Sequence, residues 1–361
     1  MDVRPMAAWI VVGSIGARLV MQQAPSAEQR VDCSSNCIIK LHRVATLRAG
    51  AQSHLLRLNS PYVMQDSRRR YFLVARSGSH LMVFNAAGTL FKVIDGGRNL
   101  AFGLLGTILS RPDGSLGVYD VTRRVFFTFD INLEPLAAVP MRYKPAFMLN
   151  DGAYIHSMQI PTPARVGQPV HVVAADGSLL RSFGAAEAVY RADQRLLYDR
   201  LAAPAAAGAI WLAAPGRHVV ERWNPWTGKR DLTISIKSNW FVEQAQVPRL
   251  NEPSGSLVVA LWEDDGVLWL LSRDADPRWT PGSTSQSEEL YGPDDKSRRY
   301  DAVLEAIDIA TGTVIGTRRS DEVYSARAPS RLLARSSTTD DGIGHVEVFR
   351  ATLARKEKHH D

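Results

Sequence analysis

The chain has 361 residues, of which 45% are hydrophobic and 22% charged, and a formal net charge of +6. That is the profile of a soluble globular protein long enough to bury a large core. The positive charges are dispersed, with no long Lys/Arg block, which argues against a nucleic-acid partner.

The first residues read as a secretory signal over 1–27. Arg4 precedes an apolar run, Met6–Ala17, and Ala24-Pro25-Ser26-Ala27 offers small residues for cleavage after Ala27. Arg18 cuts the apolar run too short to cross a bilayer comfortably. No stable membrane span is therefore expected once the signal is removed, and the expected location is periplasmic or secreted. An uncleaved anchor is the alternative. Residues 28–37 hold the only two cysteines, Cys33 and Cys37. An oxidising compartment would let them pair, provided Ser34-Ser35-Asn36 turns to bring the sulfurs together. Free thiols, a zinc site and a lipid-anchored cysteine are weaker readings, because two cysteines do not complete a zinc shell and Arg30-Val31-Asp32 is not a small apolar motif.

From residue 38 onward one pattern repeats. Strand–turn–strand units occur at His80–Ile94, Arg124–Val139, Pro169–Phe183, Arg217–Ile236 and Asp301–Arg318, with a truncated sixth at Gly344–Leu353. Each has an apolar run, then Asp or Asn with small residues or Gly, then a second apolar run, which is hairpin chemistry. Another strand precedes most copies, at Tyr71–Arg76, Ser115–Asp120, Ala209–Ala213, Val267–Arg273 and Arg331–Arg335, with Leu257–Trp262 ahead of the fifth. Residues 274–299 are rich in Pro, Ser and Asp without apolar period and read as an inserted loop. Residues 354–361 are a charged tail. Ala185–Leu201 has some helical character, worth a turn or two.

A repeat of small sheets avoids exposed edges by closing radially. The expected fold is all-β, a six-bladed β-propeller over 38–353. The sixth copy is short of a strand, and Ile38–Leu47 can supply it, so that both ends of the domain close one blade. At Tyr71–Arg76 with His80–Leu90 (YFLVAR…HLMVFNAAGTL), and at Val170–Gly184 (VHVVAADGSLLRSFG), the chain resembles the NHL/TolB-like six-bladed propellers of exported bacterial proteins. The resemblance implies that fold and export. It implies no single activity, since propellers serve as binding modules, lactonases, lyases and scaffolds. The Gly-Pro-Gly-Glu loop common in similar proteins is replaced here by Gly96-Gly97-Arg98-Asn99.

Sequence motifs for chemistry are sparse. The chain has no P-loop, no Gly-x-Gly-x-x-Gly, no Gly-x-Ser-x-Gly and no His-Glu-x-x-His, so no cofactor, no metal and no catalytic residue is assigned. Six Asp-Gly pairs, beginning at Asp95, Asp113, Asp151, Asp176, Asp265 and Asp341, are expected to be turns, because Gly supplies φ > 0 and Asp bonds its own backbone. Trp211, Trp223, Trp262 and Trp269 fall on strands and are expected to pack between blades. Trp226, Trp240 and Trp279 fall in turns or loops.

The segments joining one blade to the next carry basic residues, often beside an aromatic or an amide. They are Arg98 and Asn99; Arg142, Tyr143 and Lys144; Tyr190 and Arg191; Lys237, Asn239 and Trp240; and Arg318 with Arg319. Gathered at one mouth of the channel, such charges would attract an anion. The leading expectation is therefore an exported, monomeric binding module for a small acidic ligand or a protein partner. The alternatives are an enzyme of lactonase, lyase or hydrolase type, with Asp66, Asn150, His156 and Glu263 as metal candidates, and a structural scaffold.

Overall fold

The structure, a computed structural model, describes residues 37–56, 58, 61–75, 78–95, 102–111, 113–158, 160, 162–186, 199–245, 255–278 and 300–355, all within the unit Cys33–Asp361. The described residues form six antiparallel sheets, the blades of a six-bladed propeller.

The first strand, β1 (Cys37–Leu47), belongs to the last blade. Blade 1 is β2 (Val63–Gln65), β3 (Tyr71–Val74), β4 (Leu81–Phe84) and β5 (Leu90–Ile94). Blade 2 is β6 (Leu105–Ser110), β7 (Leu116–Asp120), β8 (Val125–Phe129) and β9 (Pro135–Pro140). Blade 3 is β10 (Phe147–Met148), β11 (Tyr154–His156), β12 (Val170–Val173) and β13 (Leu179–Phe183). Blade 4 is β14 (Leu201–Pro204), β15 (Ile210–Ala213), β16 (Val219–Asn224) and β17 (Lys229–Ser235). Blade 5 is β18 (Leu257–Asp264), β19 (Val267–Ala275), β20 (Tyr300–Asp308) and β21 (Thr313–Ser320). Blade 6 is β22 (Leu333–Thr338) and β23 (Gly344–Arg355), with β1 as its outer strand. Its inner position is held by one antiparallel bridge, Ser325 to Ala334.

The core lies between blades. Blade strands are buried on both faces, so they read as continuous apolar runs, and successive residues serve opposite neighbours. In β3, Phe72 packs toward blade 2, whereas Tyr71 and Leu73 pack toward blade 6. In β19, Leu268 and Leu270 face blade 4, whereas Trp269 and Leu271 face blade 6. Every neighbouring pair of blades shares such a cluster, which closes the ring. Trp211, Trp223, Trp262 and Trp269 are all buried in it, and Trp262 stacks on Trp269 at 6.0 Å.

The turn reading of the Asp-Gly pairs holds at the five described positions, where Gly114, Gly152, Gly177, Gly266 and Gly342 all have positive φ. The Asp113, Asp151 and Asp176 carboxylates each accept the backbone N–H two residues on. Asp95 is followed by Gly96, which lies outside the described residues.

Three sequence expectations need correction. Gly344–Leu353 is not a hairpin. It is part of one long strand, β23, paired with β22 on one side and β1 on the other. No Gly or Pro interrupts Val346–Leu353, and the irregularity falls in β1, between Arg43 and Ala45. Asp274 and Ala275 belong to β19 rather than to the insertion, because they pair with Asp301 and Tyr300. Residues 279–299 lie outside the described residues, as do 187–198, where helical character was read. Ala354 and Arg355 likewise belong to β23 and not to the tail.

Candidate functional site at the channel

In each four-stranded antiparallel blade the first and third strands run one way and the second and fourth the other. The blade-to-blade connections and the loops between second and third strands therefore share one end of the propeller.

Lys144 approaches the Gly106 backbone of β6. It lies in the connection 141–146, between β9 and β10, and bends over the inner strand of blade 2. A Cβ placed on Gly106 would meet Val121 Cγ2 at 2.4 Å and would sit 3.3 Å from Lys144 Cε and 3.5 Å from its Nζ, so this glycine makes room for Val121 and the end of Lys144 lies against it. Arg327 comes from the connection 321–332, between blades 5 and 6. Its Nη1 donates to the Gly106 carbonyl at 2.6 Å, across 221 residues of sequence. Its guanidinium lies over the Tyr62 ring, 5.6 Å from the centroid, and the Tyr62 hydroxyl donates to Ile108 O at 3.1 Å. Arg327 thus ties the connection into blade 6 to the entries of blades 1 and 2.

Neither cation has a carboxylate partner among the described residues. Loss of hydration, and then the charge of Arg327, pushes the Lys144 pKa down to about 8. Burial, opposed by Arg327, pushes the Tyr62 phenol up to about 12, so it stays protonated and a donor. Beside them an open cavity of about 430 Å³, partly continuous with solvent, is lined by Arg200 and Arg327 and by the small residues Ala146, Ala202, Ala260 and Ala328. The alanines come from inner strands and connections of blades 3 to 6, where larger side chains would fill the space. Arg200 donates to the carbonyls of Asp199 and Ala185.

The Lys144 backbone is fixed by blade 3. His156 is buried and its Nδ1–H donates to Lys144 O at 2.9 Å. Tyr143, His156 and His171 form a ladder of rings, with centroids 5.4 Å apart from Tyr143 to His156 and 5.6 Å from His156 to His171. His171 is held between Met158 O, at 3.1 Å from Nε2, and the Ser182 hydroxyl, at 2.7 Å from Nδ1. Burial, with the neighbouring His156, lowers its pKa to about 4. Burial likewise lowers His156.

The other expected site residues are dispersed. Arg142 is exposed and leans over the Tyr143 ring. Lys237 and Asn239 are exposed, and Trp240 is half-buried with its ring against His218. Arg98, Asn99, Tyr190 and Arg191 lie outside the described residues. Arg318 and Arg319 are not in a connection, because β21 runs on through Ser320. Two neighbours hold these arginines in the strand. Arg318 Nη1 donates to Ile39 O of β1 at 3.4 Å, and Arg319 bridges Asp274 and Asp301 at 2.8 and 2.6 Å.

The candidates for a channel metal do not converge either. Asp66 is paired with Arg70, Asn150 is exposed in a turn, and Glu263 accepts from Trp211 Nε1 at 2.6 Å. No group of three or more His, Cys, Asp or Glu suited to a metal ion occurs among the described residues. Arg327, Arg200 and Tyr62 were missed from sequence. Cys37 opens β1 and is disulfide-bonded, while Cys33 lies outside the described residues.

No family model and no curated protein matches the chain. The fold has solved counterparts. A Bacteroides fragilis protein, named as a presumed exported protein, superimposes with a TM-score of 0.57 at 10% identity, over 89% of this chain and 96% of that one. A member of the DUF4221 family from Bacteroides vulgatus gives 0.59 at 8% identity, over 88% and 99%. At these identities the likeness establishes the propeller fold and nothing finer.

Proposed function

We propose that this propeller is an exported binding module that holds a small anionic ligand at the channel. The observation that carries the reading is the meeting of Lys144 and Arg327 at Gly106 with no carboxylate partner among the described residues. Two unneutralised cations held close in a confined space raise the local potential and favour a carboxylate or phosphate between them. An anion there also relieves the desolvation that depresses Lys144. The adjoining cavity gives the rest of such a ligand room, and Arg200 adds a second guanidinium to its wall. Export rests on the signal-like residues 1–27, and a Cys33–Cys37 pair fits that compartment.

The test is a thermal-shift and calorimetric screen of small carboxylates and phosphates on the purified chain. Binding should weaken steadily as salt rises. It should fall about tenfold or more in Lys144→Met and in Arg327→Gln. The pH dependence has a definite sign. The anion binds the charged lysine, so affinity is full below pH about 8 and declines as pH rises through that value. Affinity that is flat in salt and indifferent to both substitutions would sink the reading.

A further inference from the structure

Away from the channel cations, the structure brings together a serine, a histidine and a glutamate that are remote in sequence. Ser238 lies in the connection leaving β17, His218 immediately precedes β16, and Glu305 lies on β20 of the next blade. Ser238 Oγ is 3.0 Å from His218 Nδ1, and His218 Nε2 is 2.7 Å from Glu305 Oε2. We infer that Ser238, His218 and Glu305 form a nucleophile–base–carboxylate relay able to cleave carboxylic esters.

The arrangement has the polarity the chemistry needs. A carboxylate only accepts hydrogen bonds, so His218 carries its proton on Nε2 toward Glu305. That leaves the Nδ1 lone pair facing Ser238, whose hydroxyl donates to it. His218 and Glu305 are 4% and 1% exposed, while Ser238 is partly exposed. The base and its carboxylate are thus dry, and the hydroxyl is the member open to a substrate. The imidazole cannot turn. Phe241 stacks on it, with centroids 4.3 Å apart and planes 9° from parallel, and Trp240 meets it edge-on at 5.3 Å.

The chain is shaped for this. Ile236 N donates to His218 O at 2.9 Å, which sets the exit of β17 beside the start of β16 and returns Ser238 over the ring. Gly216 lets the following segment pass, since a Cβ there would lie 1.9 Å from Gln244 O. The backbone N–H groups of Asn239 and Trp240, just after the serine, meet no acceptor among the described residues.

Ser238 Oγ bonds to the ester carbonyl carbon while its proton moves to His218 Nδ1. The bond from that carbon to the alkoxy oxygen then breaks, and the departing alkoxide takes the proton from His218 as an alcohol. Water adds to the resulting acyl-serine, giving its proton through His218, and the acid leaves with Ser238 restored. Glu305 positions the imidazole and offsets its transient charge.

The experiment uses the full chain with a fluorophosphonate probe and with p-nitrophenyl acetate. The expected result is one labelled serine, mapped to Ser238, and ester turnover that falls about 100-fold or more in Ser238→Ala. Because His218 and Glu305 are buried, their replacement can disturb the fold, so Ser238→Cys supplies the independent arm. Its thiol should react with iodoacetamide as a thiolate well below the ordinary cysteine range, since His218 can take its proton. An unlabelled Ser238 in folded protein, turnover unchanged in Ser238→Ala, or a cysteine that titrates near 8.5 would each overturn the inference. None of these readouts depends on anion binding at Lys144.

Discussion

The connections 141–146 and 236–245 are made from the same kinds of residue and come to opposite ends. Each leaves an outer strand, carries a lysine next to aromatics, and rests a ring on a buried histidine: Tyr143 on His156, Phe241 on His218. In the first, His156 spends its hydrogen bond on the Lys144 carbonyl, and the ammonium is turned inward toward Arg327. In the second, His218 is bound to Glu305 and Ser238, and Lys237 stays in solvent. What the histidine bonds to decides whether the connection presents a charge or a hydroxyl. The lysine's own position in sequence does not.

The largest way to break this contrast is to remove the acid beneath His218. Glu305→Ala should lower the free energy of unfolding by about 3 kcal/mol, because the buried histidine loses the partner that justified its burial. Urea unfolding measures it, and a loss under ~0.5 kcal/mol would mean that the pair contributes little. Next comes the opposite sign at Lys144. Lys144→Met should stabilise the protein by ~1–3 kcal/mol at neutral pH, since it removes a desolvated charge while leaving the stem packed. The same substitution should weaken the proposed anion binding about tenfold or more, the usual exchange of stability for function.

A smaller, pH-dependent effect follows from the same lysine. Its folded pKa of about 8 lies below the unfolded value near 10.5. The unfolded chain therefore holds more protons between these values, and stability should rise with pH across that window. In Lys144→Met the rise should flatten. The smallest effect belongs to Lys237→Ala. An exposed lysine with solvent around it should change stability by less than ~0.5 kcal/mol, and anion affinity should stay within twofold in calorimetry.

The propeller was legible because its signals are local. Asp-Gly turns and two-sided apolar strands repeat along the chain, and the missing strand of blade 6 had one good candidate at Ile38–Leu47. The site was legible only in part. Lys144 is one of several basic residues that the sequence places in the blade connections, and nothing local to it sets it apart from Arg142 or Lys237. Arg327 could not be singled out, since its role lies in reaching Gly106. Arg318 and Arg319 were placed one segment too late because Thr-Arg-Arg-Ser looks like a polar loop, whereas Asp274, Asp301 and the β1 backbone hold it extended. Ser238, His218 and Glu305 share no motif. They meet only after blade 5 docks on blade 4.

The pairing of β1 with β23 sets an order of events during synthesis. Among the described residues the first strand pairs with the last, from Cys37 opposite Arg355 to Leu47 opposite Val346. Blades 1 to 5 can form as they emerge, whereas β1 waits with both its edges open. Its Ile38 and Val44 are still exposed when the ring is complete, and a nascent chain stalled before β23 would offer this segment to any other strand edge nearby. A chain truncated inside β23 loses the contact that holds its beginning to its end.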